Sequence, residues 1–268
     1  MHDSGRSVPT SSATTTDEVR LPGPLPLWEI PGWRERFGVV AGVTGRGFDL
    51  GLWTGEPVGE VMTRWRALRA AFPGCPAQVM AHQVHRTEVM WHEGGTGWTL
   101  HEGADGHATT ASGLLLLVTV ADCVPVYLVA PRVGAIALLH AGWRGTAAGI
   151  LERGVAMLAA RAGATPADLV MHTGVAISGG AYEVGSEVMQ EMGLPAGGPG
   201  PWHLDLRARL LEQARALGIA QTSQSGHCTS REAEDFYSHR RSGGRDGRMV
   251  AWLGILAPGG RSAPVDPD

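Results

Sequence analysis

A cysteine and a histidine, Cys123 and His140, carry the most legible chemistry in this 268-residue chain. They stand in the stretch TVADCVPVYLVAPRVGAIALLHAGWRGT, residues 119–146, which contains two short apolar runs, VPVYLVA and GAIALLH. A tight turn at 131–133 joins the runs, and that spacing predicts an antiparallel hairpin. Cys123, before the first run, and His140, at the close of the second, then lie at the same end of the hairpin. A thiolate beside an imidazole admits three readings: metal ligands, a nucleophile with its base, or a small buried hydrophobe beside a core histidine. The Gly-Trp-Arg-Gly that follows adds a cation, Arg144, on flexible backbone just before a helix.

Further groups could complete such a site. His82 and His85 close an apolar stretch. One of them with Cys123 and His140 would make two imidazoles and a thiolate, a tetrahedral zinc set with its fourth position open. His92, His101 and His107 fall in a glycine-rich connection and read mostly as solvent-exposed. The sequence has no Lys and no Asn. That excludes a Schiff-base lysine and a Cys-His-Asn set within the chain, and it leaves permanent cationic work to arginine, which favours planar anions. Arg46, Arg144, Arg240, Arg241 and Arg248 are the turn-borne candidates, each with a surface or structural salt bridge as the plainer alternative. Asp105 and Asp122 could orient a ligand histidine by accepting its second N–H, and Asp122 could instead cap a turn. Tyr182 could stack on a ligand or serve as a core aromatic.

The elements that must position these residues are partly visible. Residues 37–44 read as a first strand, 61–72 as an amphipathic helix, 77–91 as a strand interrupted by His82 and His85, and LLLLVTVADC as a strand buried on both faces. A helix is expected from Gly145 to a C-cap at Gly163, and another from an Asp205 N-cap to Gly218. MVAWLGIL forms the last strand. Residues 1–22 read as a disordered tail, 23–257 as a single catalytic domain and 258–268 as a flexible tail. Hydrophobic residues make up 43%, charged residues 18%, and the net charge is −4. Such a composition fits a globular protein with a small-molecule partner and gives no basic face for nucleic acid. Three cysteines without regular spacing, no apolar leader segment and no membrane-length apolar run imply a cytoplasmic protein with free or metal-bound thiols.

Five ordered blocks then narrow the reading. QVHRTEV, ADGHATTASGLLLLVTVADCVPV, ALLHAGWRGTAAGI, GVAISGGAYEVGSEV and FYSHRRSGGRDGRM resemble the signature blocks of the YfiH family, also called the laccase-domain or polyphenol-oxidase family. The resemblance implies an α/β (mixed α+β) fold of layered mixed sheets flanked by helices, in one domain. It implies Zn2+, with Cu2+ as the alternative, bound by His85, Cys123 and His140, whereas His82 matches a position that is not a ligand. The implied activity is that of a purine nucleoside phosphorylase acting on adenosine, inosine, guanosine and methylthioadenosine, with adenosine deaminase activity beside it. Purine nucleosides and phosphate are then the partners, of a monomer or dimer. Arg144 and Arg46 are the catalytic candidates, and Tyr182, Arg240, Arg241 and Arg248 the substrate-binding ones. The older family name suggests a copper-dependent polyphenol oxidase, but the chain has no His-x-His pair. A cysteine hydrolase using Cys123 and His140 is the further alternative. Arg86 stands where the family usually has glycine, GVAI replaces GPAI, His239 replaces a common tyrosine, and Arg64-Trp65 lies near a usual Asn-Arg.

Overall fold

The computed structural model describes residues 13–257. The chain opens with β1 (Thr14–Thr15), β2 (Val19–Arg20), β3 (Leu27–Glu29), α1 (Trp33–Phe37), β4 (Val39–Thr44) and α2 (Val58–Ala70). Next come β5 (Ala77–His82), β6 (Val89–His92), β7 (Trp98–Glu102), β8 (Gly106–Thr109), β9 (Leu114–Val120), β10 (Val124–Ala130) and β11 (Ala135–Ala141). Then follow α3 (Trp143–Ala147), α4 (Ile150–Ala162), β12 (Val170–Thr173), β13 (Glu183–Val184), α5 (Ser186–Glu191), β14 (Trp202–His203) and α6 (Leu206–Leu217). The last are β15 (Gln221–Gln224), α7 (His239–Ser242) and β16 (Met249–Ile255).

Two seven-stranded mixed sheets organise these elements, in the orders β1-β15-β12-β10-β11-β8-β6 and β2-β3-β4-β16-β9-β5-β7. Strand periodicity decides how they stack, because alternate side chains leave opposite faces. From β10, Val124, Val126, Leu128 and Ala130 pack with Leu151, Val155 and Leu158 of α4 and Leu210 and Leu211 of α6. Tyr127 and Val129 of the same strand point the other way, into a core shared with Val39, Ala41, Leu116 and Val118 of the second sheet. Leu115 and Leu117 face the outer side of that sheet with Val61, Trp65 and Leu68 of α2. The result is helix, sheet, sheet, helix. Strands apolar on both faces are therefore continuous apolar runs, as β9 and β10 are.

The hairpin expected around residues 131–133 forms as β10 and β11, with Val124 opposite Ala141 and Pro125 opposite His140. Asp205 caps α6 by accepting from the Ala208 N–H at 3.0 Å, and Gly163 and Gly218 end α4 and α6 in the left-handed region. Four readings need correction. The helix expected from Gly145 is two helices, because Gly149 at φ 88° turns the chain between α3 and α4. Phe37, expected to open the first strand, instead closes α1, and the strand begins at Val39. The expected tail is shorter at its C-terminal side: Thr14 and Thr15 pair with β15, and Val19 and Arg20 with β3. Between these strands Glu18 is buried, its Oε1 accepting from the Val175 N–H at 3.1 Å and lying 3.3 Å from His172 Nε2. A polar side chain with such partners can order a segment whose composition reads as disordered. The rest of the expected N-terminal tail and residues 258–268 lie outside the described residues. Finally, His92 and His107 are buried, 2.9 Å apart through Nε2 and Nδ1, because β6 pairs parallel with β8 at the edge of the inner face.

Candidate metal centre

Three loops and strand ends converge on one point. Cys123 follows the turn between β9 and β10, where Asp122 adopts φ 88°. His140 ends β11 on the face that its neighbours Ile136 and Leu138 turn toward the second sheet. His85 lies in the connection from β5 to β6 at φ 57°, a left-handed turn uncommon outside glycine. One ligand atom from each lies within 4.8 Å of the others, and among the described residues this is the one such His/Cys/Asp/Glu group. The imidazoles of His85 and His140 meet edge to face with centroids 4.7 Å apart. His85 is exposed, Cys123 half-buried and His140 buried, so the group opens to solvent on one side.

Asp105 holds two of the three ligands. Its carboxylate is fully buried, and Oδ1 accepts from the His85 N–H and from His140 Nδ1, both at 2.9 Å. Its Oδ2 accepts from the N–H groups of Arg86 at 2.8 Å and Val84 at 3.2 Å. These bonds fix the left-handed turn that presents His85. They also fix the tautomer of His140: with Nδ1 donating, Nε2 is the nitrogen left to bind a metal. Asp122 does something else. Its oxygens accept from the Thr229 hydroxyl and the Arg240 N–H, each at 2.6 Å, and so tie α7 to the cysteine turn. Two glycines of the His-Ala-Gly-Trp-Arg-Gly run serve close approach. A Cβ on Gly142 would come within 3.0 Å of Cys123 Sγ and 3.2 Å of His85 Cδ2, and one on Gly145 within 2.9 Å of the Arg86 carbonyl oxygen.

The electrostatics favour a thiolate. Burial alone would raise the Cys123 pKa, but His140 and the hydrogen bonds from both histidines bring it down to about 6. Burial likewise opposes a charge on His140, yet Cys123 and Asp105 push it up to about 9. Asp105 is held below the ordinary carboxylate range against its burial by His140 and the backbone N–H groups of Arg86 and His85. Two imidazoles and a readily formed thiolate, with one side open, have the chemistry of a three-residue zinc site. Ideal tetrahedral ligand atoms lie about 3.3 to 3.8 Å apart, inside the 4.8 Å that bounds these three atoms, so the residue types and their spacing fit such an ion.

Two clefts meet at Cys123. One, of about 240 Å³, is lined by His85, His140, Trp53, His82 and Arg248. The other, of about 180 Å³, is lined by Trp143, Ile177, Tyr182, Leu206 and Arg240. Arg240 lies 4.9 Å over the Tyr182 ring, and its Nη1 donates to the Glu183 carbonyl. Arg144 is exposed over Trp143 at 4.1 Å and makes no salt bridge among the described residues. Burial pushes the Tyr182 hydroxyl up to about 12, with Arg240 and Arg144 acting in the opposite sense. Three expected arginines line neither cleft: Arg144, and with it Arg46 and Arg241. Arg46 Nη2 donates to both Asp246 oxygens at 2.8 and 2.7 Å, and its guanidinium lies 4.7 Å over Tyr237. Arg241 donates to Asp246 at 3.0 Å and to the carbonyls of Thr229 and Phe236. Both secure the segment that carries α7. His82 lies beside the group without joining it, 3.2 Å from Glu102. Sequence reading missed Trp53, whose position carries no local signal, and passed over Gln83, although it opens the QVHRTEV block. The Gln83 side chain bonds the backbone of Thr119 in both directions, at 2.9 and 2.6 Å, and so fixes the β5 end against β9.

Residues 32–256 match the family described as multi-copper polyphenol oxidoreductase laccase. The purine nucleoside phosphorylase YlmD of Geobacillus stearothermophilus is 35% identical over 248 residues, covering 81% of this chain and 90% of that protein. A purine nucleoside phosphorylase of Streptomyces coelicolor is 37% identical over 230 residues, covering 83% and 93%. The crystal structure of YlmD from G. stearothermophilus matches with a TM-score of 0.78 at 30% identity, over 90% of this chain and all 100% of that one. The crystal structure of Bacillus licheniformis YfiH matches with a TM-score of 0.78 at 28% identity, over 88% and 98%. The chain therefore belongs to the laccase-like YfiH family, and relatives in it such as those of G. stearothermophilus and S. coelicolor are named purine nucleoside phosphorylases.

Proposed function

We propose that this protein is a zinc-dependent purine nucleoside phosphorylase acting on adenosine, inosine, guanosine and methylthioadenosine, and that the same centre deaminates adenosine. The observation that carries the reading is the convergence of His85, Cys123 and His140 at the meeting of two clefts, in a chain whose relatives are named for that activity. Zinc supports it better than the multi-copper description does. A laccase needs a cluster of several coppers with many histidines, and among the described residues there is one group of three ligands. The same group speaks against a cysteine hydrolase, since a nucleophile needs one base whereas here two imidazoles lie within 4.8 Å of the same sulfur.

Zinc bound at such an open site would supply Lewis acidity toward a phosphate or water oxygen. The protein's own residues do the rest. Arg240, over Tyr182 in the cleft at Cys123, and Arg144, over the neighbouring Trp143, offer guanidinium donors for phosphate. In phosphorolysis a phosphate oxygen bonds to the ribose C1′ as the bond to the purine nitrogen breaks, and the base leaves with a proton. In deamination a water oxygen replaces the amino group at the purine C6. Asp105 keeps His140 oriented throughout, and Arg46 and Arg241 act at a distance by bracing α7 through Asp246. No helix among the described residues is long and apolar enough to cross a membrane, consistent with a cytoplasmic enzyme working on free metabolites.

The test is product analysis by chromatography with adenosine and phosphate, on protein whose zinc and copper content is measured. Adenine with ribose 1-phosphate, or inosine, is expected, and both should vanish on chelation and return with zinc. Zinc-loaded protein that yields none of these products overturns the reading. Activity that survives complete chelation restores the cysteine nucleophile, and stoichiometric copper with oxygen uptake restores the oxidase.

A further inference from the structure

The larger of the two clefts at Cys123 carries a feature that the metal ligands do not explain. Trp53, on the connection between β4 and α2, lines it and is 56% exposed. What distinguishes it from an ordinary exposed side chain is its place in the wall of a cleft that also holds His85, Cys123 and His140, where an aromatic face can take a planar ligand. The ring is not loose. His82 lies against it with centroids 4.4 Å apart at 31°, and Glu102 accepts from His82 Nδ1 at 3.2 Å, so one face of the indole is backed. Gly51 allows the loop its tight path, since a Cβ there would come within 2.4 Å of Thr54 Cγ2 and 3.1 Å of Arg248 Cγ.

Gln83 and Thr54 of this cleft are engaged within the protein, and Arg248 is engaged in part. Gln83 is bonded to Thr119 through its amide nitrogen and oxygen. The Thr54 hydroxyl lies 3.0 Å from the Gly51 carbonyl and 3.3 Å from Asp49. Arg248 Nη1 donates to the carbonyls of Asp246 and Gly247. Beside the candidate metal group the cleft presents the planar apolar face of Trp53, flanked by the Arg248 guanidinium, whose Nη2 has only His239 Nδ1 at 3.5 Å. We propose that Trp53, backed by His82, is the platform on which the purine base of the substrate stacks, so that the base is read through its face and not its edge. The inference rests on the nucleoside reading above. It makes Trp53 a substrate-binding residue and His82 a positioning residue behind it. Ala121 and Cys123 line both clefts. A base on Trp53 and a phosphate beside Arg240 therefore approach from opposite sides, with the ribose C1′ between them at the metal ligands.

The experiment compares zinc-loaded wild type with Trp53→Ala and Trp53→Tyr. Stacking of a base on an aromatic ring is sequence-tolerant, and its loss weakens binding by about tenfold or more. Trp53→Ala should raise KM for adenosine and for inosine by about that factor each, with kcat within about twofold and the phosphate KM unchanged. Trp53→Tyr should restore most of the loss. A Trp53→Ala protein with wild-type KM, or an effect confined to one base, overturns the platform. Equilibrium dialysis of adenosine against the same proteins reads the platform without turnover. No binding, or equal binding by wild type and Trp53→Ala, overturns it, whereas a wild type that binds adenosine through Trp53 without turning it over defeats only the phosphorylase reading.

Discussion

Replacing Asp105 by Asn should damage the metal site without touching a ligand. The wild-type carboxylate accepts four hydrogen bonds, from the N–H groups of Val84, His85 and Arg86 and from His140 Nδ1. An amide keeps one acceptor oxygen and turns an NH2 toward the remaining donors. At least two buried donors lose their partner, at about 1 to 3 kcal/mol each, which predicts a stability loss of about 2 to 6 kcal/mol. If the NH2 falls opposite His140, the ring is driven to the tautomer with Nδ1 bare, and Nε2 then carries a proton where the metal should bind. Losing such a partner typically lowers metal affinity about 10- to 100-fold. Competition for zinc against a chromophoric chelator measures that factor, and thermal unfolding measures the stability. Asp122→Asn is the matched control: the same change of a carboxylate next to Cys123, at a side chain that bonds Thr229 and Arg240 and neither histidine. Zinc affinity of Asp105→Asn within twofold of wild type, or an equal loss in Asp122→Asn, refutes the assignment of Asp105 as the organiser of the ligands.

Two further outcomes follow from the same geometry. Gly142→Ala should displace Cys123 or His85, because the new Cβ meets Sγ at 3.0 Å and Cδ2 at 3.2 Å. A stability loss of about 1 to 3 kcal/mol is expected, together with weaker zinc binding, and unchanged affinity by calorimetry would contradict the close-approach argument. The buried histidines make stability depend on pH. Burial holds His107 down to about 3 and His92 to about 4, so the folded chain refuses protons that the unfolded chain takes up below its ordinary value of 6.5. Stability should therefore fall as pH drops from 6.5 toward 4, by up to about 1.4 kcal/mol per pH unit for each histidine. His107→Gln removes one of them, and its urea midpoint should decline less between pH 7 and pH 4.5 than that of wild type. Parallel declines would show that the pair does not set the slope.

How much could be foreseen depended on whether the deciding contact was local. The hairpin β10–β11 was legible because its partners are adjacent in sequence and its runs are apolar on both faces, and the hairpin alone brings Cys123 and His140 together. His85 was different. Its approach depends on a left-handed turn held by Asp105, 20 residues away, so spacing could not choose it over His82, and only the resemblance did. Asp105 and Asp122 looked alike as possible orienting acids. What separates them is distant chain, His140 for the first and Thr229 and Arg240 for the second. Arg46 had suitable chemistry and a suitable turn, yet its carboxylate partner Asp246 lies 200 residues downstream. His92 and His107 of the glycine-rich connection were misread as exposed for the same reason, since the pairing of β6 with β8 buries them.

The first described segment has a consequence beyond ordering the chain. Within residues 14–20 it supplies the terminal strand of both large sheets, β1 on one and β2 on the other, with Glu18 pinned between them. Without it, β15 and β3 would each offer a row of unpaired N–H and C=O groups, a template for strand addition by another copy. One short stretch thus closes two open edges at once. Shortening the protein past Glu18 would then show itself first as self-association, before any change in the distant metal group.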